Sequence, residues 1–482
     1  MNVLVYVLDS LRPDHLSCYG HERPTSPAID CLTDDGIMFT NAFAQGIWTA
    51  PTSGSLVTGL YPSVHGGETV SEALSPEAPR LAAALSDGGF QTGAVSSIDQ
   101  VSDFRGFDVG FDEFVPMYES VDPNDLDLVD CLHSELEDWI GTRNENWFAF
   151  AWSLGTHTPY LFPDDVEPPF ADPAYEGEVN GTIPELKNAG RDEIERIHTL
   201  YDSAIRYNDQ RLGDLIEMLK DRGEYEETLI VVTGDHGEVF DEHARLEQTS
   251  TFVERLFSLP GLRSLTRTFE LFDQSAFVGH SALLPYDELL RVPLVVKLPG
   301  NRHAGQTVDA LVESIDVFPT IVDVADAEGH SVPDLTTLPV QGQSLLDVID
   351  GTESGREYVY SESRTLKGSN RYQSVRTREH KYVEVSWSRP TIEDLQLQAH
   401  RSAYSLLEYA VNDTRLLFSV NDLGEPTNEL NNHLRDRPGV AADLRERLND
   451  WLAVNEAIDL QNERVTLASD TRNRLDQLGY ID

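Results

Sequence analysis

Four residues in this chain, Asp9, Thr49, Asp235 and His236, could do chemistry together. Two carboxylates, a hydroxyl and an imidazole can surround one divalent cation. The carboxylates would neutralise its charge, and the imidazole would add a nitrogen donor. Mixed nitrogen and oxygen ligands favour Mn²⁺ or Zn²⁺, while Ca²⁺ and Mg²⁺ stay open. A threonine hydroxyl beside such an ion has its pKa lowered, so an alkoxide becomes accessible. Pro51 suits the first turn of a helix opening near Thr49. The N–H groups and dipole of that helix would face an anionic substrate. Each piece alone also has a plainer reading. A strand-terminal Asp can be a cap, an Asp-His-Gly run a turn, and a Thr-x-Pro run a helix start.

Strands and helices must position these residues. Apolar runs at 2–8, 91–96, 147–153, 228–233 and 292–297 read as strands. Patterns at 51–58, 79–87, 192–221 and 314–325 read as helices. Alternation of this kind predicts a doubly wound α/β sheet. Asp9 and Asp235 directly follow apolar strands, at the carboxyl edge where such sheets carry their sites. Beyond residue 350 the pattern changes. Residues 371–386 read as a hairpin, 414–420 as a strand, and 438–455 and 468–478 as helices. The expected organisation is therefore an α/β catalytic domain over 1–350 and a small C-terminal α+β subdomain over 351–482. That subdomain would hold an antiparallel sheet with helices.

Residues 244–279 interrupt this order. They are rich in Phe, Leu and Arg, and they read either as a lid over the site or as a packing helix or subunit contact. Residues 163–190, rich in Pro, Asp and Glu, read as a long surface loop.

The bulk composition narrows the function class. The 482 residues carry 83 acidic against 36 basic side chains, a net charge of −47. Lysine occurs only at 187, 220, 297, 367 and 381. Such charge repels itself in dilute salt and is screened in molar salt, where the Debye length is about 3 Å. The composition thus resembles proteins of salt-accumulating halophiles. No basic stripe offers phosphate neutralisation, so nucleic acid is not an expected partner. Cys18, Cys31 and Cys131 form no CxxC or Cys/His cluster and read as small buried residues. No run of 18 apolar residues suggests a transmembrane helix, and no secretory leader is evident. A cytoplasmic protein is the expectation.

The longer motifs are specific. Asp9-Ser10-Leu11-Arg12-Pro13-Asp14-His15-Leu16-Ser17-Cys18-Tyr19-Gly20 resembles the opening motif of the sulfatase family, within the alkaline phosphatase superfamily. Thr25-Ser26-Pro27-Ala28-Ile29-Asp30-Cys31-Leu32 and Gly36-Ile37-Met38-Phe39-Thr40-Asn41-Ala42 are similar to its next blocks. Residues 49–59 match the nucleophile block in spacing. Further similar stretches are 156–160, 233–238, 279–280, 286–288, 291–294, 316–320 and 478–480. They run in the family's order over nearly the whole chain.

The resemblance implies a large central mixed, mostly parallel sheet flanked by helices, as in alkaline phosphatase. It implies Asp9, Asp235 and His236 as ligands of one divalent metal ion, with Thr49 as both ligand and nucleophile. It also implies that His157 and His280 contact the ester oxygens or protonate the leaving group. Arg12 and Asp14 would shape the pocket or form a structural salt bridge.

Three departures stand out. Ser10 replaces the family's second consecutive Asp, and Ser53 replaces an Arg. Thr49 replaces the Cys or Ser that the family oxidises to formylglycine. Its methyl group closes that route, so no formylglycine is expected. A threonine at this position resembles the lipoteichoic acid synthases and phosphoethanolamine transferases, which carry a membrane domain. The expected function is metal-dependent hydrolysis of a sulfate or phosphate ester, with Thr49 attacking in line. The substrate would be a small anionic ester, such as a sugar or lipid head group. A phosphotransferase serving an acceptor alcohol, or a non-catalytic binding protein keeping the fold, are the alternatives.

Overall fold

The computed structural model describes residues 1–122, 126–144, 146–163, 166–172, 174–240, 242, 285–364, 370–387, 414–420, 433–458, 460–461 and 463–478. The 244–279 insertion, His280 and the 479–480 end of the last motif lie outside the described residues.

Eight strands form the main sheet: β1 (Asn2–Leu8), β2 (Ile37–Phe43), β3 (Gln91–Ser96), β4 (Glu113–Pro116), β5 (Trp147–Ser153), β6 (Thr228–Gly234), β7 (Arg291–Lys297) and β8 (Gln306–Glu313). Their order is β4-β3-β5-β1-β6-β7-β2-β8. Every neighbouring pair is parallel except those made by β7, which runs antiparallel to β6 and β2. The sheet is thus mixed and mostly parallel, as expected. All seven residues of β1, β5 and β6 are buried. Such continuous apolar strands belong at the centre of a sheet covered on both faces.

The covering helices are α1 (Pro27–Asp35), α2 (Thr49–Thr58), α3 (Leu81–Asp87), α4 (Leu128–Gly141), α5 (Ile194–Asp221) and α6 (Val317–Ala327). Strands β2, β4 and β8 and helices α1 and α4 were not among the expected elements. In β2 the polar pair Thr40-Asn41 coincides with a bulge in the pairing to both neighbours. At the sheet edge, β8 alternates buried and exposed side chains along its first half. The described residues of 163–190 mostly lack regular secondary structure, apart from one short helix at Ile183–Asn188.

A second, four-stranded antiparallel sheet contains β9 (Val359–Arg364), β10 (Asn370–Arg376), β11 (His380–Trp387) and β12 (Thr414–Ser419). Helix α7 (Pro438–Glu456) packs on it through Leu444, Leu448 and Trp451, which cluster with Tyr61, Val375 and Tyr382. Helix α8 (Ser469–Gln477) returns to the main sheet instead. There Arg474 pairs with Asp99, and Leu475 joins the main core. Among the described residues, no helix is long and apolar enough to cross a membrane. The cysteines are not buried as expected: Cys31 is exposed, and Cys18 and Cys131 are half-buried.

Candidate functional site

Strand register brings the two aspartates together. Leu8 of β1 lies opposite Gly234 of β6 and Ser153 of β5. The residues that follow, Asp9 and Asp235, therefore leave the sheet side by side. Thr49 enters from α2, which begins at Thr49 itself and is buried over all ten residues. Pro51 sits in the first turn, as its fixed φ favours. Gly46 lets the chain pass tightly over that turn, since a Cβ there would lie 2.7 Å from Pro51 Cγ.

The side chains of Asp9, Asp235 and His236 place donor atoms within 4.8 Å of one another, and all three are buried. Thr49 Oγ1 lies 3.3 Å from Asp9 Oδ2 and 3.2 Å from His236 Nε2. His236 Nδ1 donates to the Gly237 carbonyl at 2.7 Å. In the neutral ring that leaves the lone pair on Nε2. It faces Asp235 Oδ2 at 3.4 Å and Asp9 Oδ1 at 3.7 Å. Lone pairs so opposed, with two carboxylates out of water, suit a cation between them. Burial and the neighbouring Asp9 charge push the Asp235 pKa well above the usual carboxylate range. The donor set therefore fits the metal ion that sulfatase-family enzymes use.

Several residues that sequence reasoning did not assign hold this cluster. Ser10 donates its Oγ to Asp9 Oδ1 and its N–H to Asp235 Oδ1, both at 3.0 Å. Its φ of 60° aims both groups at the pair. Trp152 Nε1 donates to Asp9 Oδ2 at 3.1 Å, and Thr52 Oγ1 to Asp235 Oδ2 at 3.3 Å. Thr156 Oγ1 donates to the Asp9 carbonyl at 2.5 Å. Position beside Asp9 could have flagged Ser10. Trp152 and Thr52 are brought in by pairing across the sheet and by helix docking, which leave no local signal.

His157 follows β5, is buried, and donates Nδ1 to the Thr158 carbonyl. Glu238 is also buried, and burial pushes its pKa up to about 7. The nearby His157 and His236 act in the opposite direction. His157 thus stands beside the loop that carries Asp235 and His236. That loop is fixed from two sides. Gly237 N–H bonds the Leu289 carbonyl at 2.8 Å, and a Cβ on Gly237 would lie 1.9 Å from the Glu288 carbonyl oxygen. Arg12 Nη1 donates to the Glu238 carbonyl at 3.0 Å while its guanidinium grips Asp14 at 2.6 and 3.0 Å. Ser53, at the family's Arg position, is buried inside α2 and bonds the Ala50 carbonyl at 3.3 Å. His65 is a supporting residue: burial drives its pKa down to about 3, and Nε2 donates to the Pro51 carbonyl at 3.0 Å. His280 lies outside the described residues.

The mixed eight-stranded sheet has the alkaline phosphatase-like architecture, and the cluster at its carboxyl edge groups residues that could hold a metal ion. The sulfatase family model matches residues 1–327, so the chain belongs to the sulfatase family. The model of the N-sulphoglucosamine sulphohydrolase C-terminal region matches residues 282–404. An arylsulfatase of Clostridium perfringens is 20% identical, covering 80% of this chain and 85% of its own. An N-acetylglucosamine-6-O-sulfatase of Bacteroides thetaiotaomicron is 22% identical, covering 79% and 78%. Among solved structures, the phosphonate monoester hydrolase of Agrobacterium radiobacter superposes with a TM-score of 0.65 at 20% identity, covering 94% of this chain and 96% of that one. Members of this family hydrolyse sulfate or phosphate esters.

Proposed function

We propose that the chain is a metal-dependent hydrolase of small anionic esters in which Thr49 is the nucleophile. The observation that carries this reading is Thr49 Oγ1 within 3.3 Å of both Asp9 Oδ2 and His236 Nε2. Asp9, Asp235, His236 and Thr49 would hold one divalent cation, with Mn²⁺ or Zn²⁺ favoured by the mixed donors. When bound, that cation supplies positive charge beside the hydroxyl and the transferring group.

The chain's own residues do the rest. Thr49 Oγ1 forms the new bond to phosphorus or sulfur in line with the departing oxygen, and its proton goes to solvent. The bond to the leaving alkoxide breaks as the new one forms. His157 has Nδ1 bonded to the Thr158 carbonyl, and Nε2 is the nitrogen proposed to meet the substrate. From there it can contact an ester oxygen or protonate the leaving group. His280 is the second candidate for that duty. Water then cleaves the threonine ester and restores the hydroxyl.

The methyl group of Thr49 excludes a formylglycine hydrate and its route for expelling sulfate. Phosphate mono- or diesters are thereby favoured over sulfate esters. The test is a panel of aryl phosphate, phosphodiester and sulfate substrates in molar KCl, with and without Mn²⁺. Thr49→Ala is expected to lower turnover by about 10³-fold or more. Undiminished turnover by Thr49→Ala would overturn the reading. Mass spectrometry of the quenched Thr49 peptide should show the covalent phosphoryl adduct.

A further inference from the structure

We infer that His15, His21 and Asp202 form a second transition-metal site, separate from the catalytic cluster and built for Zn²⁺-type ions. His15 and His21 come from the segment between β1 and α1, and Asp202 comes from α5. Their ligand atoms also lie within 4.8 Å of one another. His15 Nδ1 is 2.6 Å from Asp202 Oδ1, and His21 Nε2 is 3.0 Å from Asp202 Oδ2. His15 and Asp202 are buried, while His21 is half-buried and faces the solvent side. An entry path for an ion therefore exists.

His198 is the candidate fourth donor, standing beside His15 but outside the group whose ligand atoms all lie within 4.8 Å of one another. His198 lies four residues before Asp202 on α5, so both project from one helix face. Its Nε2 is buried and has no hydrogen-bond partner among the described residues. The ring centres of His21 and His198 lie 5.0 Å and 5.2 Å from that of His15. Two imidazoles on one tetrahedral ion, with Zn–N near 2.1 Å, hold their ring centres about 5 Å apart.

Charge is arranged to match. Asp202 supplies one negative charge, and Arg23 Nη1 donates to its Oδ2 at 2.6 Å. Arg23 fixes the carboxylate from outside, as outer partners of metal ligands do. Asp14 adds a nearby negative charge. The wall towards the catalytic cluster is made by Tyr201 and Phe240. Tyr201 Oη donates to the Ser10 carbonyl at 2.7 Å. A metal here would brace the loop that follows Asp9 against α5. The competing account is a metal-free network in which both imidazoles simply donate to Asp202.

Metal-free protein, wild type and variants, is loaded with Zn²⁺ in molar KCl, dialysed and assayed for bound zinc, with circular dichroism as the folding control. His21 is half-buried, so His21→Gln is expected to fold. It should lose one zinc equivalent relative to wild type, and Asp235→Asn, which alters the catalytic cluster, should keep that same equivalent. His198→Gln should bind that equivalent at least tenfold more weakly. If His21→Gln retains all the zinc of wild type, the site does not exist and the metal-free network is correct. Unchanged affinity in His198→Gln would remove His198 from the ligand set.

Discussion

Thr49, as the proposed nucleophile, needs its hydroxyl oriented before any ion or substrate arrives, and that task falls on groups around Asp9. The carboxylate of Asp9 receives the hydroxyls of Ser10 and Thr49 and the indole N–H of Trp152. Trp152 is fully buried, so its N–H has no water to turn to. Trp152→Phe removes this donor at small cost in packing. Second-layer donors of this kind typically tune metal affinity by about 10–100-fold. Trp152→Phe should therefore bind Mn²⁺ more weakly by that factor, read by titrating metal-free protein, while circular dichroism stays unchanged. Equal affinity would remove Trp152 from the supporting layer. At this scale the four cluster residues were legible because each sits beside a strand end or helix start that sequence periodicity marks. Trp152, Thr52 and Thr156 were not, because only tertiary pairing brings them to Asp9 and Asp235.

Helix α1 shows how an element can begin without its own cap. Ser26 and Pro27 look like a cap followed by a first-turn proline, yet the Ser26 hydroxyl is spent on Asp30 at 2.8 Å. The amides of Ala28 and Ile29 are instead taken by Asp209 of α5, at 2.9 Å each. No local pattern reveals an acceptor 181 residues away, which is one reason α1 escaped the periodicity reading. Asp209→Ala would strand two amides where water has little access. The expected loss is about 1–3 kcal/mol by denaturant unfolding. A change under about 0.5 kcal/mol would show that the cap is redundant.

The junction of the two sheets carries a second such device. Glu313, ending β8, accepts from the Tyr360 amide at 2.6 Å and from Tyr61 Oη at 2.7 Å. Burial pushes its pKa up to about 7, and Arg356, itself held by Asp316, opposes that rise. With the folded value above the unfolded one, this group's stabilisation is complete below about pH 4.3. It is lost as pH rises towards 7. The stability of wild type relative to Glu313→Gln should therefore fall between about pH 4.5 and 7 and then level off. A flat difference would contradict the raised value.

At the scale of the whole molecule, charge is the dominant unsolved force. The central strands of the main sheet and three of the four strands of the small C-terminal sheet were legible because buried strands leave periodic signals. The way the −47 charge is tolerated leaves none. Few cations are available to offset it, and two of the five lysines are not on the surface. Lys297 is buried with its ammonium on the carbonyls of Glu226 and Thr228, each at 3.1 Å, and of Tyr225. Lys381 is buried on Asp287 at 2.8 Å and on the Pro285 carbonyl at 2.6 Å. Arginine pairs such as Arg376–Asp287 and Arg474–Asp99 are also spent inside or between elements. The remaining surface carboxylates face one another across water. Bringing them together on folding costs work that grows as the Debye length lengthens from about 3 Å at 1 M salt to about 10 Å at 0.1 M. Thermal unfolding in KCl from 0.1 to 3 M should therefore show a Tm that climbs steeply and then flattens once screening saturates. Tetramethylammonium chloride should give the same initial rise if screening is the cause. A Tm indifferent to salt over that range would mean that the acidic surface imposes no folding cost, and the halophile reading would fall with it.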